Sequence, residues 1–219
     1  MLLAGATGLV GGLLLQRLEQ RADVSAIIAV ARKAVSATTT KVQQCIGPID
    51  DWPGLVADSK PDIAISALGT TLRQAGSHDA FAAVDHDAAL AFARTACGAG
   101  ARRFILVSSV GAHPSSRNFY LATKGRSEAS IKAVGFDRLD IVRPGLLRGD
   151  RQGDVRIGER LGILLSPLTD LLMPRVLDHF RSISANDVAD AIMRLLPVPD
   201  CGTFIHENRD MWTLLENSA

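Results

Sequence analysis

Short apolar runs alternate with amphipathic stretches along most of the chain. Leu2, Leu3 and Ala4 form an apolar run closed by Gly5, as at the end of a buried strand. Over residues 9–21, Leu9, Val10, Leu13, Leu14 and Leu18 recur at helical spacing and predict a helix with one apolar stripe. Residues 24–30 predict a buried strand, 41–46 a weaker one, 51–57 a short helix and 62–66 another strand. The alanine-rich stretch 79–96 predicts a long helix, with Gly98 and Gly100 as stop signals. A strand over 104–107, a helix over 118–134 ending at Gly135, and a strand over 139–142 stopped by Pro144 and Gly145 follow.

Strands alternating with helices imply an α/β fold, a doubly wound parallel sheet with helices on both faces. The strands read as continuous apolar runs, as burial on both faces requires. Beyond residue 148 the pattern loosens. Residues 161–172 predict one or two short helices broken at Pro167, 186–196 a helix, 203–206 a last strand and 210–216 a terminal helix. Residues 34–40 read as a loop. No internal repeat or low-complexity linker divides the chain, so residues 1–219 are expected to form a single domain. Residues 148–183 would be its small C-terminal substrate lobe.

Composition removes several function classes. Lys plus Arg is 24 and Asp plus Glu 23, a net charge of +1, so there is no global basic field for nucleic acid. Aromatic residues are 5%, too few for a base-stacking platform. Cys45, Cys97 and Cys201 lie far apart and no Cys/His spacing suits zinc, so no metal is expected. This cysteine usage predicts a reducing, cytoplasmic setting. The longest apolar stretches, 24–31 and 161–174, do not predict a membrane span, and the N-terminus has no basic region of signal-peptide type.

Gly5-Ala6-Thr7-Gly8-Leu9-Val10-Gly11 follows the first strand and opens the first helix. Glycine leaves no Cβ between backbone and ligand, and a helix N-terminus offers N–H groups and a positive dipole end to a pyrophosphate. The GxxGxxG spacing in this place predicts dinucleotide binding; the alternative is a plain glycine turn. The second strand ends Val30-Ala31-Arg32-Lys33. Cations stand where an acid would favour the ribose of NAD(H), so NADP(H) is expected ahead of NAD(H). The alternative is a solvated pair of surface cations.

Tyr120-Leu-Ala-Thr-Lys124 sets a phenol and an ammonium on one face of the helix predicted over 118–134. An ammonium beside a phenol stabilises the phenolate, which makes Tyr120 a candidate acid or base for a carbonyl or alcohol oxygen. It is the only tyrosine in the chain. Ser108 and Ser109 follow the strand 104–107, at the carboxyl edge where open α/β sheets bind ligands.

With GATGLVG (5–11), SALGTT (66–71), LVSSVGA (106–112), YLATK (120–124) and RPGLL (143–147), nearly the whole chain resembles the short-chain dehydrogenase/reductase superfamily. LGTT, SSVGAHPSSRNFY, TKGRSE and FDRLDIVRPGLLRGDRQ are similar to its atypical branch of Tat-interacting-protein type. The resemblance implies a Rossmann fold and a set of roles. Gly5, Thr7, Gly8, Leu9 and Val10 would hold the pyrophosphate, and Arg32 and Lys33 the 2′-phosphate. Leu68, Gly69 and Thr70 would pass beside the adenosine ribose and phosphates. Tyr120 would be the acid/base, and Lys124 would bind the nicotinamide ribose and depress the tyrosine pKa. Pro144, Gly145, Leu146 and Leu147 would line the nicotinamide. One serine would hydrogen-bond the substrate carbonyl, Ser109 being favoured and Ser108 left open. Two departures stand out. The asparagine that many relatives carry in the central helix is missing from the neighbourhood Val84-Asp85-His86-Asp87, so the proton relay is expected to differ. The aspartate expected after the third strand is also missing; Asp50 is a local substitute or a helix N-cap.

These features imply NADP(H)-dependent oxidoreduction of a small carbonyl or alcohol. The alternative is an NADPH-binding regulator with little or no turnover; an epimerase, isomerase or assembly factor is a third reading. A small molecule is the expected partner, and a homo-oligomer is left open. Residues 161–177 read as a substrate cap, an oligomer surface or a membrane-touching segment. His86, His113 and His206 read as structural or solvated, Arg148 and Arg151 as a solvated loop, and Cys97 as a core residue.

Overall fold

The computed structural model describes residues 1–148 and 181–216. The helices expected over 161–172, and most of the lobe expected over 148–183, lie outside the described residues. The described strands are β1 (Leu2–Ala4), β2 (Ile27–Ala31), β3 (Val42–Ile46), β4 (Ile63–Ser66), β5 (Arg103–Val107), β6 (Arg138–Arg143), β7 (Leu147–Arg148), β8 (Ile183–Ser184) and β9 (Gly202–Glu207). The α-helices are α1 (Leu9–Gln20), α2 (Trp52–Leu55), α3 (Leu72–Ala75), α4 (His78–Ala82), α5 (Ala89–Gly98), α6 (Phe119–Lys132), α7 (Ala185–Leu195) and α8 (Asn208–Glu216).

A seven-stranded sheet runs in the order β3-β2-β1-β4-β5-β6-β9, and every pairing in it is parallel. The chain winds outward from β1 to one edge, returns to β4 and winds to the other. The reversal falls between β1 and β4, and ligands of such sheets bind outside the carboxyl ends of the strands at that point. This is the doubly wound Rossmann arrangement that the alternating pattern predicts.

Because side chains alternate across a strand, Leu2 and Leu3 enter opposite layers. Leu3, Ile65 and Ile105 pack with Leu14 and Leu18 of α1 and with Val188 and Ile192 of α7. Leu2, Ala64, Phe104 and Leu106 pack with Phe92 and Ala96 of α5 and Ile131 of α6. Two residues on from Ala64 and Leu106, the same alternation directs Ser66 and Ser108 toward the α5–α6 layer. The apolar layer thus gains a polar cap at the carboxyl edge of the sheet.

The sequence missed three local features. The long central helix is α4, then a π-helical turn over Ala83–Ala88, then α5. Such a turn leaves no mark in an alanine-rich pattern, because small side chains read alike at either spacing. The short helix α3 also went unpredicted; its N-cap Thr71 accepts the Gln74 N–H at 3.1 Å, and it ends at Gly76 with φ +81°. Finally, β7 pairs with β8, Leu147 opposite Ile183, which joins the two ends of the 149–180 excursion.

Candidate functional site

Gly5 lies at φ +86°, where a side chain is strained, and a Cβ there would stand 2.4 Å from the Ala67 carbonyl oxygen. A Cβ on Gly11 would stand 2.1 Å from the Gly5 carbonyl oxygen, so α1 can cross β1 this closely only with glycine. The Gly8 N–H donates to the Gly5 carbonyl at 2.9 Å and closes the turn. The first turn of α1 has no side-chain cap and no acidic residue. Its N–H groups and positive dipole end are left for a ligand. Thr7 and Gly8 are exposed, whereas the Val10 side chain is buried and only its backbone can serve. This cradle, which a Cβ would fill, fits a dinucleotide pyrophosphate.

Arg32 and Lys33 directly follow β2, are exposed, and form no salt bridge with another described residue. The loop after them is anchored from below. Glu19 of α1 is buried, and its carboxylate accepts the Thr38 and Thr39 N–H groups at 2.7 Å each and both threonine hydroxyls. Burial by itself would raise its pKa; these hydrogen bonds outweigh that and hold it below the ordinary carboxylate range.

α6 starts at Asn118, whose Oδ1 accepts the Leu121 N–H at 3.2 Å. The half-buried Tyr120 ring lies 5.4 Å from the Phe81 ring, and Phe119 stacks on His78 at 3.9 Å. One turn on, the Lys124 ammonium is buried and lies 2.7 Å from Asp85 Oδ1. The other Asp85 oxygen accepts the Thr70 N–H at 2.8 Å, in the turn after β4. α6 sits tightly against the segment after β5: a Cβ on Gly125 would stand 2.3 Å from the His113 carbonyl carbon and 2.4 Å from the Pro114 nitrogen. Gly125→Val is therefore expected to destabilise the protein by about 1–3 kcal/mol or more through overpacking. Both clashes are with backbone, so α6 must shift and carry Tyr120 and Lys124 with it. Chemical denaturation checks this, and an unchanged midpoint would contradict it.

The two serines have different surroundings. Ser108 is buried and its hydroxyl donates to the Glu128 carboxylate. Glu128 in turn accepts Arg143 through Nε at 3.0 Å and Nη2 at 2.5 Å. Ser109 is half-buried, and among the described residues its hydroxyl meets only its neighbour's carbonyl, at 3.4 Å. In the loop after β6, the Gly145 N–H donates to Asn208 Oδ1 at 2.9 Å, while Asn208 Nδ2 donates to the Arg181 carbonyl at 2.6 Å. Asn208 is fully buried, and Leu146 is 56% exposed. One side chain of α8 thus holds both the loop expected at the nicotinamide and the start of the returning chain.

Sequence reading missed Glu19, Glu128, Arg143 and Asn208. Only Glu128 left a usable signal, since 120, 124 and 128 share a helix face. The other singled-out residues lie in structural roles or at the surface. His206 Nε2 is 2.9 Å from Asp140 Oδ1, and because a carboxylate only accepts, that nitrogen carries the proton. His86 lies between Asp87 at 2.7 Å and Ser130 at 3.1 Å, and His113 Nδ1 accepts the Ser115 N–H at 3.2 Å. Arg148 donates to the Ser182 carbonyl at 3.3 Å; Arg151 lies outside the described residues. Asp50 is exposed in a 3₁₀ turn and caps nothing with its side chain. Cys97 is half-buried rather than a core residue, and Cys45 is the buried cysteine.

The winding of the sheet and the glycine cradle define a dinucleotide-binding α/β protein. The chain belongs to the NAD(P)H-binding family, within the atypical short-chain dehydrogenase/reductase superfamily; the family model matches residues 5–199. It is 39% identical over 153 residues to the protein FMP52, mitochondrial, of Meyerozyma guilliermondii, covering 69% of this chain and 66% of that one. With the Saccharomyces cerevisiae protein of the same name it shares 35% over 160 residues, covering 72% and 69%. The match thus spans about two thirds of these relatives' length, 66% of the first. The fold is shared with the oxidoreductase ylbE of Lactococcus lactis, at TM-score 0.66 and 22% identity over 99% of this chain and 97% of that one. It is shared also with MoeE5 in complex with UDP-glucuronic acid and NAD, at TM-score 0.72 and 15% identity, covering 99% and 81%.

The cytoplasmic setting expected from cysteine usage is overturned by the fungal relatives, which are named mitochondrial. Few, dispersed cysteines are equally compatible with that compartment, so the inference was too narrow. Among the described residues no helix is long and apolar enough to cross a membrane, and no side-chain group is suited to a metal ion.

Proposed function

We propose that the protein is an NADP(H)-dependent oxidoreductase acting on a small carbonyl or alcohol. The observation that carries this reading is the placement of Tyr120 and Lys124 on successive turns of α6, in a chain whose β1–α1 turn fits a dinucleotide. Gly5, Thr7, Gly8 and the backbone of Leu9 and Val10 would hold the pyrophosphate. Arg32 and Lys33, both exposed and without a salt bridge to another described residue, would take a 2′-phosphate, which favours NADP(H) over NAD(H). Leu68, Gly69 and Thr70 would border the adenosine ribose, and Pro144, Gly145, Leu146 and Leu147 the nicotinamide. The bound nicotinamide supplies or accepts a hydride.

The chain's own groups would do the rest. Ser109, whose hydroxyl has no side-chain partner among the described residues, would orient the substrate oxygen. Tyr120 would give that oxygen its proton in reduction and take it back in oxidation. Lys124 would hold the ribose. Ser108 is assigned no role with substrate, because its proton goes to Glu128. The excursion after β7 would shape the substrate side.

Nicotinamide absorbance, followed while the protein is mixed with a panel of small aldehydes and ketones, tests the proposal. Turnover of at least one carbonyl is expected, faster with NADPH than with NADH. Tight NADPH binding with no turnover anywhere in a broad panel would contradict it and favour a cofactor-binding regulator.

A further inference from the structure

We propose that Asp85 is a positioning residue that locks the turn Leu68-Gly69-Thr70 to Lys124, so that the backbone segment and the ammonium expected to border the cofactor are held as one unit. The inference deepens the cofactor-site reading above and rests on it. Its basis is the use made of one buried carboxylate. The Asp85 side chain is 0% exposed and the Lys124 side chain 8%. A charge so placed is tolerated only when it is paired and hydrogen-bonded. Asp85 meets both conditions with partners from two different elements. Oδ1 faces the Lys124 ammonium of α6 at 2.7 Å, and Oδ2 accepts the Thr70 N–H of the turn after β4 at 2.8 Å.

Three further observations agree. The backbone of Gly69 lies against the ion pair: a Cβ there would be 3.4 Å from Asp85 Oδ1 and 3.5 Å from Lys124 Nζ. Glu128, the carboxylate one turn beyond Lys124 on α6, is already engaged by Ser108 and Arg143. The π-helical turn that carries Asp85 is tied to α6 a second time, by His86 Nε2 and Ser130 Oγ at 3.1 Å. π turns inside α-helices concentrate at functional sites, where they re-aim side chains. An ammonium has three N–H donors. Its contact with Asp85 is an ion pair, and its donors would serve a ribose and the tyrosine oxygen. An amide at position 85 could accept from Thr70 or from Lys124, but it would not neutralise the ammonium.

Fluorescence titration of NADPH into the unmodified chain, Asp85→Asn, Lys124→Met and the double variant tests the lock. Asp85→Asn is expected to weaken NADPH binding by about tenfold in the unmodified background, and by much less once Lys124 is gone, the mark of a coupled pair. A purely structural residue would lower stability yet leave the affinity of the folded protein unchanged. Unchanged affinity in Asp85→Asn, or effects that simply multiply, would overturn the proposal. Amide exchange in the unmodified chain decides the matter if the variant does not fold. After correction for intrinsic rates, the half-buried Thr70 N–H should exchange at least about tenfold more slowly than that of Gly69, as expected for a bonded amide; equal rates would overturn the lock. Failure of the unmodified chain to bind NADPH would strike the cofactor reading instead, leaving exchange at Thr70 to decide the lock.

Discussion

Tyr120→Phe is expected to lower carbonyl turnover by about 10²–10⁴-fold, the usual contribution of a positioned general acid. The substitution removes one oxygen and leaves the ring, which stays packed 5.4 Å from Phe81. α6 has its own start at Asn118 and its own anchor through Lys124 and Asp85, so neither the helix nor the ion pair depends on the phenol. NADPH affinity should therefore change by no more than about tenfold, the worth of one hydrogen bond. The separation is the informative part: kcat falls by at least about 10²-fold while Kd moves by no more than about tenfold. Steady-state kinetics beside direct titration measure the two quantities. A variant that turns over carbonyls as the unmodified chain does would remove Tyr120 from the reaction.

The largest effect on stability is expected at Asp140, on β6. Arg138 grips its carboxylate through two nitrogens, at 2.6 and 2.8 Å, and His206 of β9 reaches it at 2.9 Å. Arg138 also donates to the Asp200 carbonyl at 2.8 Å and lies 4.3 Å from the Phe204 ring centre. The Arg138 side chain is only 4% exposed. Asp140→Asn would leave that guanidinium buried without its counter-ion, a change worth about 3–5 kcal/mol. Burial alone would raise the Asp140 pKa; the hydrogen bonds from His206 and Arg138, with the charge of Arg138, outweigh it and hold the carboxyl below its ordinary range. A depressed folded value means that this group's stabilisation is complete above the unfolded pKa of about 3.9 and disappears as pH falls through the folded value. The deficit of the variant should thus be greatest near neutrality and shrink below about pH 4. Urea unfolding at both conditions checks the sign. Equal midpoints at neutral pH would show that the network adds nothing. The consequence reaches the site, because β9 delivers Asn208, and Asn208 holds the Gly145 loop.

What the sequence revealed and what it hid follow from the range of each interaction. The β1–α1 turn was legible because its constraints are local: a positive φ at Gly5 and a 2.1 Å approach at Gly11 leave a glycine spacing in the string itself. Tyr120 and Lys124 were legible because one helix sets their spacing. The apolar strands announced a parallel sheet because burial on both faces removes polar residues from them. The partners of the site residues were hidden, since each comes from a distant element. Nothing around Asn208 predicts that its amide spans Gly145 and Arg181. Asp85 showed only as a missing asparagine; its ion pair depends on a π turn that the alanine-rich helix does not betray. The different surroundings of Ser108 and Ser109 were hidden too, because they depend on Glu128, twenty residues beyond Ser108.

Titration calorimetry of NADPH and of NADH, on the unmodified chain and on Arg32→Ala, tests the central claim most directly. NADPH should bind the unmodified chain more tightly than NADH does. Arg32→Ala should weaken NADPH by about tenfold or more, as loss of a charge-assisted phosphate contact requires, and leave NADH nearly unchanged. Equal affinity for the two cofactors with no effect of the substitution, or no binding of either, would contradict the account.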